Sequence, residues 1–217
     1  MDLFPVWLSI KVSTVATVLT VVAGLPIAWS LARTRFPGRD LAEALVVLPL
    51  VLPPTVLGYY LLVLISRQGA IGRVLDAMGI ELAFTWRAAV LAAWVGSSAL
   101  FIKAAQAGFE SVDRRLEQAA RTLGRSEWSV FWSITLPLSS RAVMAGTVLA
   151  FCRALGDFGI TLMVAGSIPG VTQTMPLAIY DLVQSNRMAE ANTLSLLAVA
   201  TVALLLMGLG RLARLRF

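Results

Sequence analysis

Apolar runs long enough to cross a lipid bilayer constrain this chain more than any other feature of its sequence. A helix rises about 1.5 Å per residue, so the hydrocarbon core of roughly 30 Å takes about 20 apolar residues. Residues 8–32, 41–66, 88–109, 141–165 and 192–212 meet that length. Only helices and closed barrels satisfy their backbone polar groups in lipid, and these runs are continuous rather than alternating. The predicted fold class is an all-α integral membrane protein of about five transmembrane helices, a single domain over residues 1–217. Composition agrees, with 58% hydrophobic and only 14% charged residues. One further run, MPLAIYDLV at 175–183, is too short to cross, and is read as a surface or re-entrant helix opened by Pro176.

The cations give an orientation. Arg33, Arg35 and Arg39 follow the first run, Arg114, Arg115, Arg121, Arg125 and Arg141 separate the third from the fourth, and Arg211, Arg214 and Arg216 close the chain. The opposite loops hold Arg67, Arg73, Arg87 and Arg187, diluted by Asp76, Glu81, Asp181 and Glu190. Cytoplasmic loops carry the Lys/Arg excess, so the N-terminus is expected outside and the C-terminus inside. This distribution accounts for the net charge of +6 by a membrane face, with no nucleic acid needed as partner. No cleavable signal peptide is expected, because the first apolar run is long and has no basic segment before it. Cys152 is the single cysteine and lies within an apolar run, and the absence of His excludes His-based catalysis and metal sites. Lys11 and Lys103, near opposite ends of their runs, are expected to snorkel.

Function is concentrated in the loop at 113–137. Leu116, Ala119, Ala120 and Leu123 recur at helical spacing and form an apolar face, leaving Arg114, Gln118, Arg121 and Arg125 mainly on the polar side. Gly124 permits a turn that a Cβ would resist, Trp128, Phe131 and Trp132 make a bulky aromatic face, and Pro137 is expected to end the loop before the fourth span. A helix, a glycine turn and a second helix make a knob for a partner's groove, the plainer alternative being an amphipathic helix lying on anionic headgroups. The stretch EQAARTLGRSEWSVFWSITLP at 117–137 resembles the EAA loop of the ABC-importer permeases of bacterial inner membranes. Ala119, Ala120, Gly124, Ile134, Leu136 and Pro137 keep its spacing, while Gln118 stands at the position usually acidic and the acid is displaced to Glu117. The resemblance implies the type I importer permease fold, with this loop as the coupling helix. It also implies a second permease copy, two ATP-binding subunits and a periplasmic binding protein. Neither Lys11 nor Lys103 lies in a Gly-Lys-Ser/Thr loop, so this chain is expected to carry no cofactor, with ATP and Mg held by the partner ATPase, and to perform no catalysis itself.

The resemblance narrows to molybdate permeases, with sulfate/thiosulfate permeases as near relatives, through LPLVLPPTVLGYYLL (48–62), RALGDFGITLMVAGSIPG (153–170) and TQTMPLAIY (172–180). Nothing in composition or spacing separates molybdate from tungstate or sulfate. Pro49, Pro53 and Pro54 remove backbone donors, freeing carbonyls near residues 49–50, so a kink or an unwound segment is expected. That segment, Pro53, Pro54 and Thr55, either lines a water-filled pathway or simply fits neighbouring helices. Arg153 and Asp157, one turn apart near the middle of the fourth run, are expected to pair, facing the interior. They could attract a dianion transiently or serve as a structural pair, with Gly156 and Gly159 beside them allowing close helix approach. The rival from another class is a stand-alone secondary carrier, which calls for internal repeats and several buried ionisable groups.

Overall fold

The computed structural model describes residues 3–215, with the side chains of 205 and 209–215 excepted. All regular structure among them is helical. The helices are α1 (Phe4–Arg33), α2 (Arg39–Val51), α3 (Pro54–Ile65), α4 (Ala70–Ala77), α5 (Trp86–Glu110) and α6 (Arg114–Thr122). They are followed by α7 (Glu127–Val130), a π turn (Phe131–Thr135), α8 (Leu136–Leu155), α9 (Gly159–Ala165), α10 (Met175–Gln184) and α11 (Met188–Leu215).

The core is α5, which packs along both α1 and α8. In its most apolar stretch 61% of residues are buried, against 12% for α11. Lipid tails are as apolar as side chains, so packing rather than water exclusion holds such helices together, and small residues permit it. The α5 sequence is accordingly rich in Ala, Gly and Ser, burying Ala88, Ala89, Ala92, Ala93, Gly96, Ser97, Ala99 and Ala105. A Cβ on Gly24 of α1 would stand 2.7 Å from the Phe101 ring, and one on Gly146 of α8 2.9 Å from Ala104 Cβ. Ser13 and Thr17 return their hydroxyl protons to carbonyls one turn back, whereas Ser9 Oγ accepts the Met175 N–H at 2.7 Å and pins the start of α10 to α1. The Lys11 ammonium lies 3.8 Å from the centroid of the Trp86 ring at the start of α5 and 5.0 Å from that of Trp7, one turn nearer the start of α1, a pair of cation–π contacts.

Helices α1, α5, α11 and the α7–α8 unit are each long and apolar enough to cross. Two expected spans are altered. The run at 41–66 is not one rod: α2 and α3 are bent by 112°. Pro49 is tolerated inside α2, and the break falls at Leu52 and Pro53, both extended, where Pro53 and Pro54 together lack the donors for the Pro49 and Leu50 carbonyls. The fourth span begins earlier than residue 141 and ends before 165, because Glu127–Leu155 is one continuous helix. Pro137 therefore does not terminate the loop. It lies in the first turn of α8, just after the π turn, where Leu136 N–H bonds Phe131 O and the hydrogen-bond register changes, so its missing donor is absorbed. At the other end Gly156, Asp157 and Phe158 separate α8 from α9. Helix α10, with proline in its first turn, is about 15 Å long and does not span.

Candidate functional site: the α6 loop and the α8–α9 break

Asp113 caps α6, accepting the Arg115 N–H at 2.9 Å. The helix ends in a Schellman motif. Arg125 N–H bonds Ala120 O at 3.2 Å, Gly124 N–H bonds Arg121 O at 2.9 Å, and Gly124 takes φ +79°. A left-handed residue with a side chain costs about 1–2 kcal/mol, so the glycine expected to turn the chain here does so for a backbone reason. Open space surrounds its missing Cβ. Ser126 then caps α7, and Arg121 clamps both carboxylate oxygens of Glu127 at 2.6 and 3.0 Å, fixing α6 to α7 across the turn. That hydrogen bond raises the Arg121 guanidinium above its ordinary pKa.

The faces of α6 differ from the simple amphipathic reading. Leu116, Ala119 and Leu123 are exposed, Leu123 at 83%, while Ala120 and Glu117 turn inward. Among the described residues the apolar stripe thus has no cover, and Ala120 belongs to the opposite side. Gln118 is exposed. Glu117 is 2% exposed, its Oε1 accepting from Arg33 Nε (3.1 Å), Arg33 Nη2 (2.9 Å) and Thr135 Oγ1 (2.7 Å). Ile134 and Leu136 are half-buried, Leu136 packing with Phe131 against the α1–α5 core, and Pro137 is exposed. Of the aromatic face, Phe131 packs inward on Trp29 and Phe109, whereas Trp128 and Trp132 are exposed beside an open apolar groove of about 760 Å³ shared with α1.

Arg33 and Thr135 are the residues sequence reasoning missed. In the sequence Arg33 stands only as one of the cations that set the orientation, and no short-range spacing links it to Glu117.

Among the residues named for a pathway, Arg153 Nη1 donates to Asp157 Oδ1 at 3.0 Å, so the expected pair exists. It does not lie along an unbroken helix: Arg153 is in the last turn of α8 and Asp157 in the break. Asp157, 3% exposed, also accepts Thr161 N–H at 2.9 Å and Thr161 Oγ1–H at 2.7 Å, satisfying the first turn of α9. Its environment is fully provided by this chain, while the Arg153 side chain remains 30% exposed. Gly159 meets α3, its missing Cβ 2.8 Å from Pro54 Cβ and 3.7 Å from Thr55 N. Gly156 makes no such approach to another helix, meeting only Cys152 O of its own at 3.5 Å, contrary to expectation. Pro54, Thr55 and Gly159 are therefore one junction, with Pro53 and Thr55 exposed at its edge.

Residues 21–215 match the family described as binding-protein-dependent transport system inner membrane component. The chain is 51% identical over 83% of its length to the molybdenum transport system permease protein ModB of Escherichia coli strain K12, covering 79% of that protein. The ModB of Haemophilus influenzae is 44% identical over 85% of this chain and 81% of its own. Among solved structures, an inward-facing MetNI methionine ABC transporter covers 97% of this chain and 93% of its own at TM-score 0.73 and 18% identity. A bacterial alginate-importing ABC transporter covers 95% and 78% at TM-score 0.74 and 16% identity, so the fold is that of type I ABC importer permeases. With a family match over most of its length and relatives at this identity, the chain belongs to the inner-membrane components of binding-protein-dependent transport systems.

Proposed function

We propose that this chain is the permease subunit of an ATP-driven molybdate importer, with tungstate carried by the same path. The observation that carries the reading is 51% identity, over most of both chains, to a relative named for molybdenum transport. The exposed stripe of Leu116, Ala119 and Leu123 ahead of a rigid Gly124 turn supports the rest. Two copies of the chain enclose the pathway, two ATP-binding subunits seat α6 in their grooves, and a periplasmic binding protein delivers the oxyanion. ATP and Mg are held by those subunits, whose closure moves α6 and alternates access across the membrane. The N-terminus is external and the C-terminus cytoplasmic. Arg153, paired with Asp157 yet 30% exposed at the end of α8, offers a weak attraction for a dianion, moderated by that aspartate.

The test is uptake of labelled molybdate into proteoliposomes holding the chain with its ATPase and binding protein. ATP-dependent accumulation, competed by tungstate and poorly by sulfate, is expected. Accumulation driven by an ion gradient without the ATPase would replace the reading with a secondary carrier. Sulfate uptake in place of molybdate would make it a sulfate permease. Orientation is checked by cysteines at Asp2 and Phe217, both outside the described residues: impermeant reagents should reach the first from outside and the second from the cytoplasm.

A further inference from the structure

Within the α6 loop one charged side chain is turned away from the surface where the ATPase is read to dock. Glu117 projects inward, and a single oxygen atom, Oε1, receives hydrogen bonds from α1 and from the π turn. Arg33 is the last residue of α1 and also donates from Nη2 to Val112 O at 3.1 Å, at the foot of α6. Thr135 is the last residue of the π turn and is 1% exposed. Three elements meet at this carboxylate, α1 from 84 residues away in sequence and the π turn from 18. Separating any of them leaves a buried charge or hydroxyl without its partner, which is costly, so α6 moves together with the ends of α1 and α8. Between α7 and α8 the wide i→i+5 turn is the irregular part of an otherwise continuous helix, and such turns are frequent at functional sites.

We propose that Glu117 is a positioning residue that transmits displacement of α6 to α1 and α8, with the π turn as the segment that yields. The inference rests on the reading of α6 as the ATPase-docking element. A brace needed only for folding leaves the stoichiometry of transport untouched, whereas a transmission link sets it.

The experiment measures ATP hydrolysed per molybdate imported by the reconstituted complex, with the amount of ATPase retained on purification, for Glu117→Gln and Thr135→Val. Thr135→Val keeps the side-chain shape and the Arg33 pair and removes only the hydroxyl link. Both variants are expected to retain the ATPase, with the ratio rising about tenfold as coupling between the two sites is lost. An unchanged ratio in assembled complexes overturns the inference. So does loss of the ATPase from both variants, since Glu117 would then shape the docking surface rather than transmit from it. If Glu117→Gln does not accumulate, Thr135→Val decides alone by the same two results. Failure of the underlying reading is seen separately: an ATPase that stays bound to Leu123→Asp shows that the outward face of α6 is not its seat.

Discussion

Two buried carboxylates, each hydrogen-bonded by an arginine and a threonine, organise this molecule in opposite ways, Glu117 having Arg121 as a more distant second cation at 4.0 Å. Asp157 binds Arg153 four residues before it and Thr161 four residues after it, and stitches a break within one stretch of chain. Glu117 binds Arg33 and Thr135, which belong to helices that come together only in the folded protein. The first defines local backbone geometry beside the α3–α9 junction, and the second ties the loop helix α6 to two spans. Similar chemistry therefore serves a fixed point in one place and a connection in the other.

The largest effect should come from breaking the connection. Glu117→Leu leaves Arg33, whose side chain is 7% exposed, buried without its charge partner, and should cost about 3–5 kcal/mol. Arg33→Leu combined with Glu117→Leu should recover most of that stability without recovering transport, as read by thermal unfolding in detergent and by uptake. Recovery of both would make the node a packing feature like any other.

Asp157→Leu comes next. Its charge-assisted bonds from Thr161 and Arg153 are lost, at about 1.5–3 kcal/mol, less than at Glu117 because the freed Arg153 is partly exposed. Unlike the Glu117 pair, Arg153→Leu with Asp157→Leu should not restore stability, since Thr161 N–H keeps no acceptor. Full restoration would show that the pair, and not the cap on α9, is what matters. If stability is retained by Arg153→Leu alone while uptake falls, the arginine acts on the substrate.

At the same junction Gly159→Ala places a methyl 2.8 Å from Pro54 Cβ, an overpacking of about 1–3 kcal/mol that either loosens or shifts α3 against α9. Protease sensitivity of the α2–α3 break should rise with it. The smallest cost in stability, about 1–2 kcal/mol, is expected for Gly124→Val, where only the left-handed backbone objects. Its functional effect should be disproportionate, with ATP hydrolysis continuing while uptake fails, because the turn between α6 and α7 loses its fixed shape. Normal uptake by a fully assembled Gly124→Val complex would contradict that role.

The difference between the two carboxylates also explains what could be read from the sequence. Arg153 and Asp157 are one turn apart, so helical spacing was enough to pair them, although not to see that a break intervenes. The Asp–Phe–Gly run between two helical segments was the available signal. The Schellman turn at Gly124 was legible for the same local reason. Arg33 and Glu117 are joined only by the packing of α1, α5 and α8, and no periodicity carries that information. The long apolar runs gave α1, α5 and α11 to within a few residues. They failed at 41–66 and 141–165, where adjacent prolines broke one helix while a π turn let a proline remain inside another.

Helix α6 has two faces, one fastened through Glu117 and one exposed in the chain itself and proposed as the seat of the ATPase. The most direct measurement is the maleimide labelling rate of Leu123→Cys in a Cys152→Ser background, compared between the permease alone and the complex assembled with its ATPase. At 83% exposure in the chain itself, position 123 should label rapidly when the permease is alone and be strongly protected in the complex. Equal labelling in the two states would contradict the assignment of this face as the seat of the ATPase.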